Sequence, residues 1–245
     1  MLYLARIEEI APDIYRISIF AQQVGMQFNH FLVKDDEPLL YHAGLRAMFP
    51  EMKEALSRII NPSTLRWIGF SHFESDECGA LNEWLTIAPN ATAVTGLVGA
   101  LVNVNDFALR PARILQENEL LITGKKEFRH IRTPHVPHGW DAGLLFEGKD
   151  KTLFTSDLFH QNGDVEALTE SSLSDRCRDL LRNYQQSPFS EYIPYSSSTE
   201  KILQNLAELN PLTLATMHGS SFRGDGKKAI KELGEIWKEE LGERS

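Results

Sequence analysis

The stretch SHFESDECG (residues 71–79) directly follows a short apolar run, LRWIGF (residues 65–70). An apolar run that ends near Gly and Ser predicts a buried strand leading into a loop. Side chains alternate along an extended segment, so His72, Glu74 and Asp76 are expected to point to one side. Two carboxylates that close repel each other unless one is protonated or a cation lies between them. The stretch therefore favours a divalent metal site, although the same alternation also occurs on solvated strand edges.

Three more polar residues follow other apolar runs in the same way. His138, Asp157 and His218 each come after, or lie just beyond, an apolar run that ends in a turn. Loops carried by a rigid scaffold are where functional sites are commonly built. The four segments together therefore predict one site that is assembled from the ends of several strands.

The ordered set of these residues resembles the metallo-β-lactamase superfamily. More narrowly it is similar to the flavodiiron branch, in which Glu replaces the second His of a His-x-His-x-Asp-His motif. The resemblance extends from the strand at residues 28–33 to the turn at residues 217–219. One departure is Glu77, because the family pattern continues Asp-His where this chain has Asp76-Glu77. The chain also ends soon after His218, which leads us to expect no flavodoxin-like domain and a stand-alone domain like that of oxygen-binding di-iron proteins.

The resemblance implies two metal ions and a set of ligands for them. The first ion would be held by His72, Glu74 and His138, the second by Asp76 and His218, and both by Asp157. Glu77 is a candidate catalytic residue that either coordinates the second ion or is an exposed acid at a helix N-terminus. His160 is the other candidate, because it could line the pocket or donate to a bound oxygen species. Phe73, Trp140 and Phe159 would form an apolar wall, or simply pack in the core.

The expected metal is iron, with zinc or manganese as alternatives. Oxygen-rich ligand sets shift preference from zinc towards iron or manganese, and Glu74 supplies that oxygen. Three functions remain open at this point, of which the first is favoured and the second is its main alternative. The first is binding or reduction of O₂ or NO, with electrons from an external donor because we expect no flavin on this chain. The second is hydrolysis of an ester, thioester, lactone or phosphodiester by a metal-bound hydroxide. A sensor without turnover is a third, and a homodimer is only a guess.

The composition is that of an ordinary soluble globular protein. The chain has 245 residues, of which 42% are hydrophobic and 24% charged, and no linker divides it, so we expect one domain over residues 1–245. A formal charge of −9 argues against nucleic acid or an anionic membrane as a partner. Two cysteines and an N-terminus unlike a signal peptide favour the cytoplasm.

The hydrophobic pattern predicts an α/β fold. Strands are expected at residues 13–20, 28–33, 39–42 and 65–70, and shorter ones from residue 91 to residue 215. Helices are expected at residues 50–60, 77–85, 97–104, 173–181, 199–209 and 227–241, and Asp76 is expected at the N-cap of the second of these. Two sheets inside with helices outside give an αβ/βα sandwich of two mixed sheets flanked by helices, and the resemblance implies that it is metallo-β-lactamase-like.

Overall fold

The computed structural model describes residues 5–242. The prediction about a signal peptide falls partly on residues 1–4, which lie outside the described residues. Within the described range the strands form two seven-stranded sheets.

The first sheet is built from the N-terminal half of the chain. Its strands lie in chain order from edge to edge, antiparallel from the first to the fourth and parallel from the fourth to the seventh. They are β1 (Arg6–Ala11), β2 (Ile14–Ala21), β3 (Met26–Val33), β4 (Leu39–Tyr41), β5 (Trp67–Gly69), β6 (Thr92–Gly96) and β7 (Arg113–Leu115).

The second sheet has the order β12-β14-β13-β11-β10-β9-β8. Strands β8 to β11 pair antiparallel in succession, whereas β13 pairs parallel to β11. They are β8 (Leu120–Ile122), β9 (Glu127–Arg132), β10 (Gly143–Glu147), β11 (Thr152–Ser156), β12 (Leu168–Thr169), β13 (Thr213–Thr216) and β14 (Ser221–Arg223).

Helices cover the outer face of each sheet. On the first sheet they are α1 (Phe49–Ser57), α2 (Ser75–Cys78), α3 (Leu81–Ile87), and α4 (Leu97–Gly99) continued by a π-helical turn (Ala100–Val104) and α5 (Asn105–Phe107). On the second sheet they are α6 (Ser174–Gln185), α7 (Thr199–Ala207) and α8 (Gly226–Leu241). Short 3₁₀ turns lie at Arg46–Met48 and Pro62–Thr64.

The apolar side chains form three layers that match this arrangement. One cluster lies between the first sheet and its helices, and another lies between the second sheet and its helices. The third lies between the sheets and includes Phe31, Tyr41 and Phe154. The predicted fold class, two mixed sheets flanked by helices, is therefore confirmed.

Several local predictions need correction. Strands β1, β12 and β14 were not expected from the sequence. The helix predicted over residues 77–85 is two helices, because the chain turns at Gly79 and Ala80, where the Ala80 N–H donates to the Gly44 carbonyl. The N-cap of α2 is Glu74, in extended backbone, so the prediction that Asp76 caps this helix is wrong. Asp76 lies in the first helical turn instead.

Among residues 5–242, no helix is long and apolar enough to cross a membrane. In the same range, Cys78 and Cys177 are buried free thiols.

Candidate metal centre

The predicted residues reach one place from the ends of strands in both sheets. His72 follows β5, and the chain then turns so that Glu74 begins α2, which carries Asp76 and Glu77. From the second sheet, His138 lies between β9 and β10. Asp157 directly follows β11 and His218 follows β13. The structure therefore brings together all six predicted ligand residues.

Two imidazoles meet at one oxygen of Glu74, and Asp157 contacts both of them. Glu74 Oε2 lies 3.1 Å from His72 Nε2 and 2.8 Å from His138 Nε2. Asp157 Oδ2 lies near the same two ring nitrogens, 3.6 Å from His72 Nε2 and 3.4 Å from His138 Nε2. Ligand atoms from these four residues all lie within 4.8 Å of one another.

A second group lies at the other oxygen of Asp157. His218 Nε2 is 3.4 Å from Asp157 Oδ1 and 3.3 Å from Asp76 Oδ2. Asp157 therefore presents one carboxylate oxygen to each group. Two atoms that each bind one ion at about 2.1 Å are separated by roughly 3.0–3.4 Å, so these spacings suit shared coordination. The assignment of the six residues as ligands stays a prediction.

The charges of the site perturb one another strongly. Burial alone would lower the pKa of His218, but Asp157 and Asp76 outweigh it and raise the pKa to about 10. Burial would raise the pKa of Asp157, and the close approach of His218, His72 and His138 lowers it well below its usual value. Hydrogen bonds from His138 and His72 lower the pKa of Glu74 to about 2. Without metal, the protonated His218 imidazole therefore pairs with the carboxylates of Asp157 and Asp76.

Glu77 is the most unusual side chain at the site. It is fully buried, and no N–H or O–H group among residues 5–242 donates to either carboxylate oxygen, so its one hydrogen-bonding neighbour is the Asp76 carboxylate. One oxygen lies 3.9 Å from His72 Nε2, and its ligand atoms cluster with those of Glu74 and Asp76. Burial, together with the charges of Asp76 and Asp157, raises the pKa of Glu77 well above its usual value. The exposed acid considered as an alternative for this residue is therefore wrong.

Two of the three histidines are oriented by their outer ring nitrogen. His218 Nδ1 lies 2.9 Å from the carbonyl of Gln27, which can only accept, so Nδ1 carries a proton and donates it. His72 Nδ1 lies 2.9 Å from Ser71 Oγ, which is 2.6 Å from Ser156 Oγ. In both rings Nε2 faces the carboxylates, which is the orientation a metal ligand requires.

His160 is buried beside His218 and does not face the carboxylates directly. Its ring centroid is 4.4 Å from that of His218. Nε2 lies 2.9 Å from Met26 Sδ, and Nδ1 lies 3.1 Å from Tyr192 Oη. Burial lowers the pKa of His160 well below its usual value, so the ring is neutral. Because a thioether has no hydrogen to donate, Nε2 carries the proton and Nδ1 accepts from the Tyr192 hydroxyl.

Tyr192 is a residue of the site that the sequence did not indicate. It lies in the loop between α6 and α7, and its ring centroid is 4.8 Å from that of His138. It therefore contacts a residue of each group, His138 directly and His218 through His160. Phe73 and Trp140 are 43% and 57% exposed and do not enclose the site, whereas Phe159 is buried.

Comparison with known proteins gives one family. Residues 26–219 match the family model described as "ODP family beta lactamase". The chain is 22% identical over 218 residues to the flavo-diiron protein FprA2 of Clostridium acetobutylicum, covering 87% of this chain and 54% of that one. It is 25% identical over 223 residues to the anaerobic nitric oxide reductase flavorubredoxin of Salmonella arizonae, covering 87% and 45%. The chain spans from about a quarter (24%) to about half (54%) of the length of the curated relatives that it matches.

Solved structures support the same fold. The rubredoxin oxygen:oxidoreductase of Desulfovibrio gigas superposes with a TM-score of 0.77 at 18% identity, over 94% of this chain and 61% of that one. The metal-soaked Flv1 flavodiiron core of Synechocystis sp. gives a TM-score of 0.80 at 19% identity, over 98% and 62%. These similarities establish the architecture described above.

Proposed function

The chain belongs to the ODP β-lactamase family, and on this premise we propose that it is a non-haem di-iron protein that binds or reduces O₂ or NO. Relatives named flavo-diiron protein and nitric oxide reductase flavorubredoxin support this class. Electrons for reduction come from an external donor. One iron would be held by His72, Glu74 and His138, the other by Asp76, Glu77 and His218, and Asp157 would be a ligand of both.

The observation that carries the proposal is the orientation of Asp157. Its Oδ2 faces His72 and His138, whereas its Oδ1 faces His218. A buried carboxylate that presents one oxygen to each of two imidazole groups suits a bridging ligand. Its burial among so many polar groups is costly unless cations compensate the charge.

Glu77 decides how well the remaining groups fit a metal pair. A buried carboxylate that no N–H or O–H group donates to, and that lies beside a second carboxylate, is expensive, and a bound cation would remove that cost. With Glu77 the site has four carboxylates and three imidazoles, a set richer in oxygen than zinc prefers. Four negative charges match two divalent ions and favour a trivalent pair still more. This set supports iron over zinc and oxygen chemistry over hydrolysis.

The iron pair would supply the electrons that O₂ or NO accepts, and the protein's own residues position and enclose it. Ser71 and Gln27 fix the rings of His72 and His218 through their Nδ1 atoms. Glu74 has a side chain that is 50% exposed, so small ligands enter from its side. Asp157 and Glu77 close the buried side.

His160 acts through Tyr192. Both of its ring nitrogens are engaged, Nε2 with Met26 and Nδ1 with Tyr192, so it holds the Tyr192 hydroxyl proton in place. The Tyr192 ring then packs against His138 and limits the motion of that ring. The direct donation from His160 to a bound oxygen species, considered from the sequence, is replaced by this indirect role.

Other features remain proposals of the same kind. We expect one domain over residues 1–245, a cytoplasmic location, no nucleic-acid or membrane partner, and no flavin. A homodimer is a matter for measurement of the mass in solution.

The test is elemental analysis of protein purified from its own host, followed by anaerobic spectra with and without O₂ and NO. Two irons per chain and a visible band that depends on the added gas support the proposal. Stoichiometric zinc or manganese with turnover of an ester, thioester, lactone or phosphodiester would instead establish the hydrolase. A Glu74→Ala variant should lose the band with the first iron, and the control is Glu83→Ala, which removes a half-buried acid of the same region that pairs with Arg46 at 2.6 Å.

A further inference from the structure

His218 is held from the opposite sheet. Its Nδ1–H donates to the backbone carbonyl of Gln27 in β3, at 2.9 Å, although His218 itself follows β13 of the second sheet. This hydrogen bond fixes both the tautomer and the direction of Nε2. The position of His218 therefore depends on how firmly the two sheets are joined at this point.

The loop that carries His218 is tied to the first sheet by its carbonyl groups. Asn29 Nδ2 donates to the carbonyls of Thr216 and Gly219, at 2.9 and 2.8 Å. Gly219 has a φ of +94°, and a Cβ there would lie 2.6 Å from the Cβ of Gln161. The loop thus has one conformation, in which the Gly219 carbonyl points into the space between the sheets.

Arg16 binds both Gln27 in the first sheet and the loop that carries His218. Its Nη2 lies 3.1 Å from Gln27 Oε1 and 3.1 Å from the Gly219 carbonyl. It is only 1% exposed, and its nearest carboxylate is Glu8 at 3.5 Å. Burial lowers the pKa of Arg16 to about 10, with Glu8 opposing that shift. Burying a charged guanidinium is energetically costly, which indicates that its hydrogen bonds to Gln27 and Gly219 have a structural role.

We infer that Arg16 is a positioning residue for the second metal ion. Arg16 binds the side chain of Gln27, whose backbone carbonyl accepts the hydrogen bond from His218 Nδ1. It also binds the carbonyl of Gly219, the residue that directly follows His218. It thereby keeps His218 Nε2 aimed at Asp157 and Asp76. The inference rests on the proposed function, because it presumes an ion bound by His218. Arg16 has no corresponding contact with His72, Glu74 or His138 within the described residues.

The experiment is a metal titration of the Arg16→Met variant. Metal-free protein is titrated anaerobically with Fe²⁺, and separately with Co²⁺, against a competing chelator. Loss of an interaction that orients a ligand typically weakens metal binding about 10–100-fold. We expect that weakening for one of the two ions and an unchanged affinity for the other. Arg110→Met is the matched control, because Arg110 also donates to backbone carbonyls, those of Leu85, Ala88 and Ala91, far from the site.

The same titration in two variants, each lacking one of the two metal sites, shows at which site Arg16→Met weakens metal binding. In His138→Ala, which disables the first site, Arg16→Met should weaken the remaining ion by the same factor. In His218→Ala, which disables the second, it should change nothing. Equal weakening in both backgrounds, or none in either, overturns the inference. If Arg16→Met does not fold, Gln27→Met, which removes the amide that Arg16 binds and keeps the carbonyl, should weaken the second ion, and an unchanged affinity overturns the inference.

The wild-type titration separates this inference from the function itself. If the unmodified chain binds fewer than two ions, the proposed di-iron centre fails. If it binds two and the variants bind both as tightly, only the role of Arg16 fails.

Discussion

Replacing Glu77 with Leu should have opposite effects on the metal-free and the metal-loaded protein. The substitution removes a fully buried carboxyl group and keeps a side chain of similar length. No N–H or O–H group in the part of the chain that the structure describes donates to Glu77, and its one hydrogen-bonding neighbour is the carboxylate of part-exposed Asp76, which water can solvate after the substitution. In the absence of metal the change should therefore stabilise the fold.

The size of the effect follows from the cost of a buried polar group without a partner. That cost is about 1–3 kcal/mol in the free energy of unfolding. For a protein of this length each kcal/mol shifts Tm by about 2–4 °C, so the metal-free variant should melt roughly 2–12 °C above the wild type. If Glu77 binds the second ion and its loss weakens that ion about 100-fold, metal-induced stabilisation falls by about 2.7 kcal/mol.

The advantage of the metal-free variant should grow with pH. The pKa of Glu77 is raised well above the value of 4.5 expected in the unfolded chain. The folded state therefore binds more protons than the unfolded state above pH 4.5, and wild-type stability falls as the pH rises from there. Glu77→Leu removes that loss. The difference in Tm between variant and wild type should be larger at pH 8 than at pH 5.

The assay is thermal unfolding with and without added Fe²⁺ under anaerobic conditions, at both pH values. Glu147→Leu is the matched control, since Glu147 is equally buried but accepts hydrogen bonds from the N–H groups of Lys149 and Asp150. It should destabilise the fold by about 1–3 kcal/mol and leave the metal increment unchanged. A metal-free Glu77→Leu protein less stable than wild type, with an unchanged metal increment, would refute the reasoning.

Three further predictions concern the other residues of the site. Because the pKa of His218 is about 10 without metal, its ring is protonated at pH 7.5, and metal binding should release that proton. Calorimetry in two buffers of different ionisation enthalpy measures the number of protons released, and a release of no protons would contradict the prediction. Glu74→His should raise the ratio of zinc to iron in purified protein, and an unchanged ratio from elemental analysis would argue against coordination by Glu74. Tyr192→Phe leaves His160 Nδ1 without its donor and should cost about 1–3 kcal/mol in urea unfolding. The control is Tyr195→Phe, which removes a hydroxyl that donates to the exposed carboxylate of Glu200 at the surface and should cost less than about 0.5 kcal/mol.

The sequence predicted which residues meet but not how they do so. Apolar runs that end in turns indicated His72, Asp157 and His218, because a strand buried on both faces leaves a clear pattern. The alternation argument for residues 72–76 failed, since β5 already ends at Gly69 and Glu74 begins α2. The convergence of His72 and Glu74 is produced by a turn. Tyr192 could not be predicted, because a loop residue far along the chain has no periodicity to mark it.

The difference between Asp76 and Glu77 shows what helical geometry adds to sequence order. In a strand, neighbouring residues point to opposite faces, so one of the two would have been excluded from the site. In the first turn of a helix they are about 100° apart, so both can reach a common centre from different sides. Asp76 meets His218 at the part-exposed side, and Glu77 turns inward beneath His72. The acid that stands where the resemblance expects a histidine is thus directed inward by α2, and its burial beside the Asp76 carboxylate, without an N–H or O–H donor among the described residues, favours a bound cation.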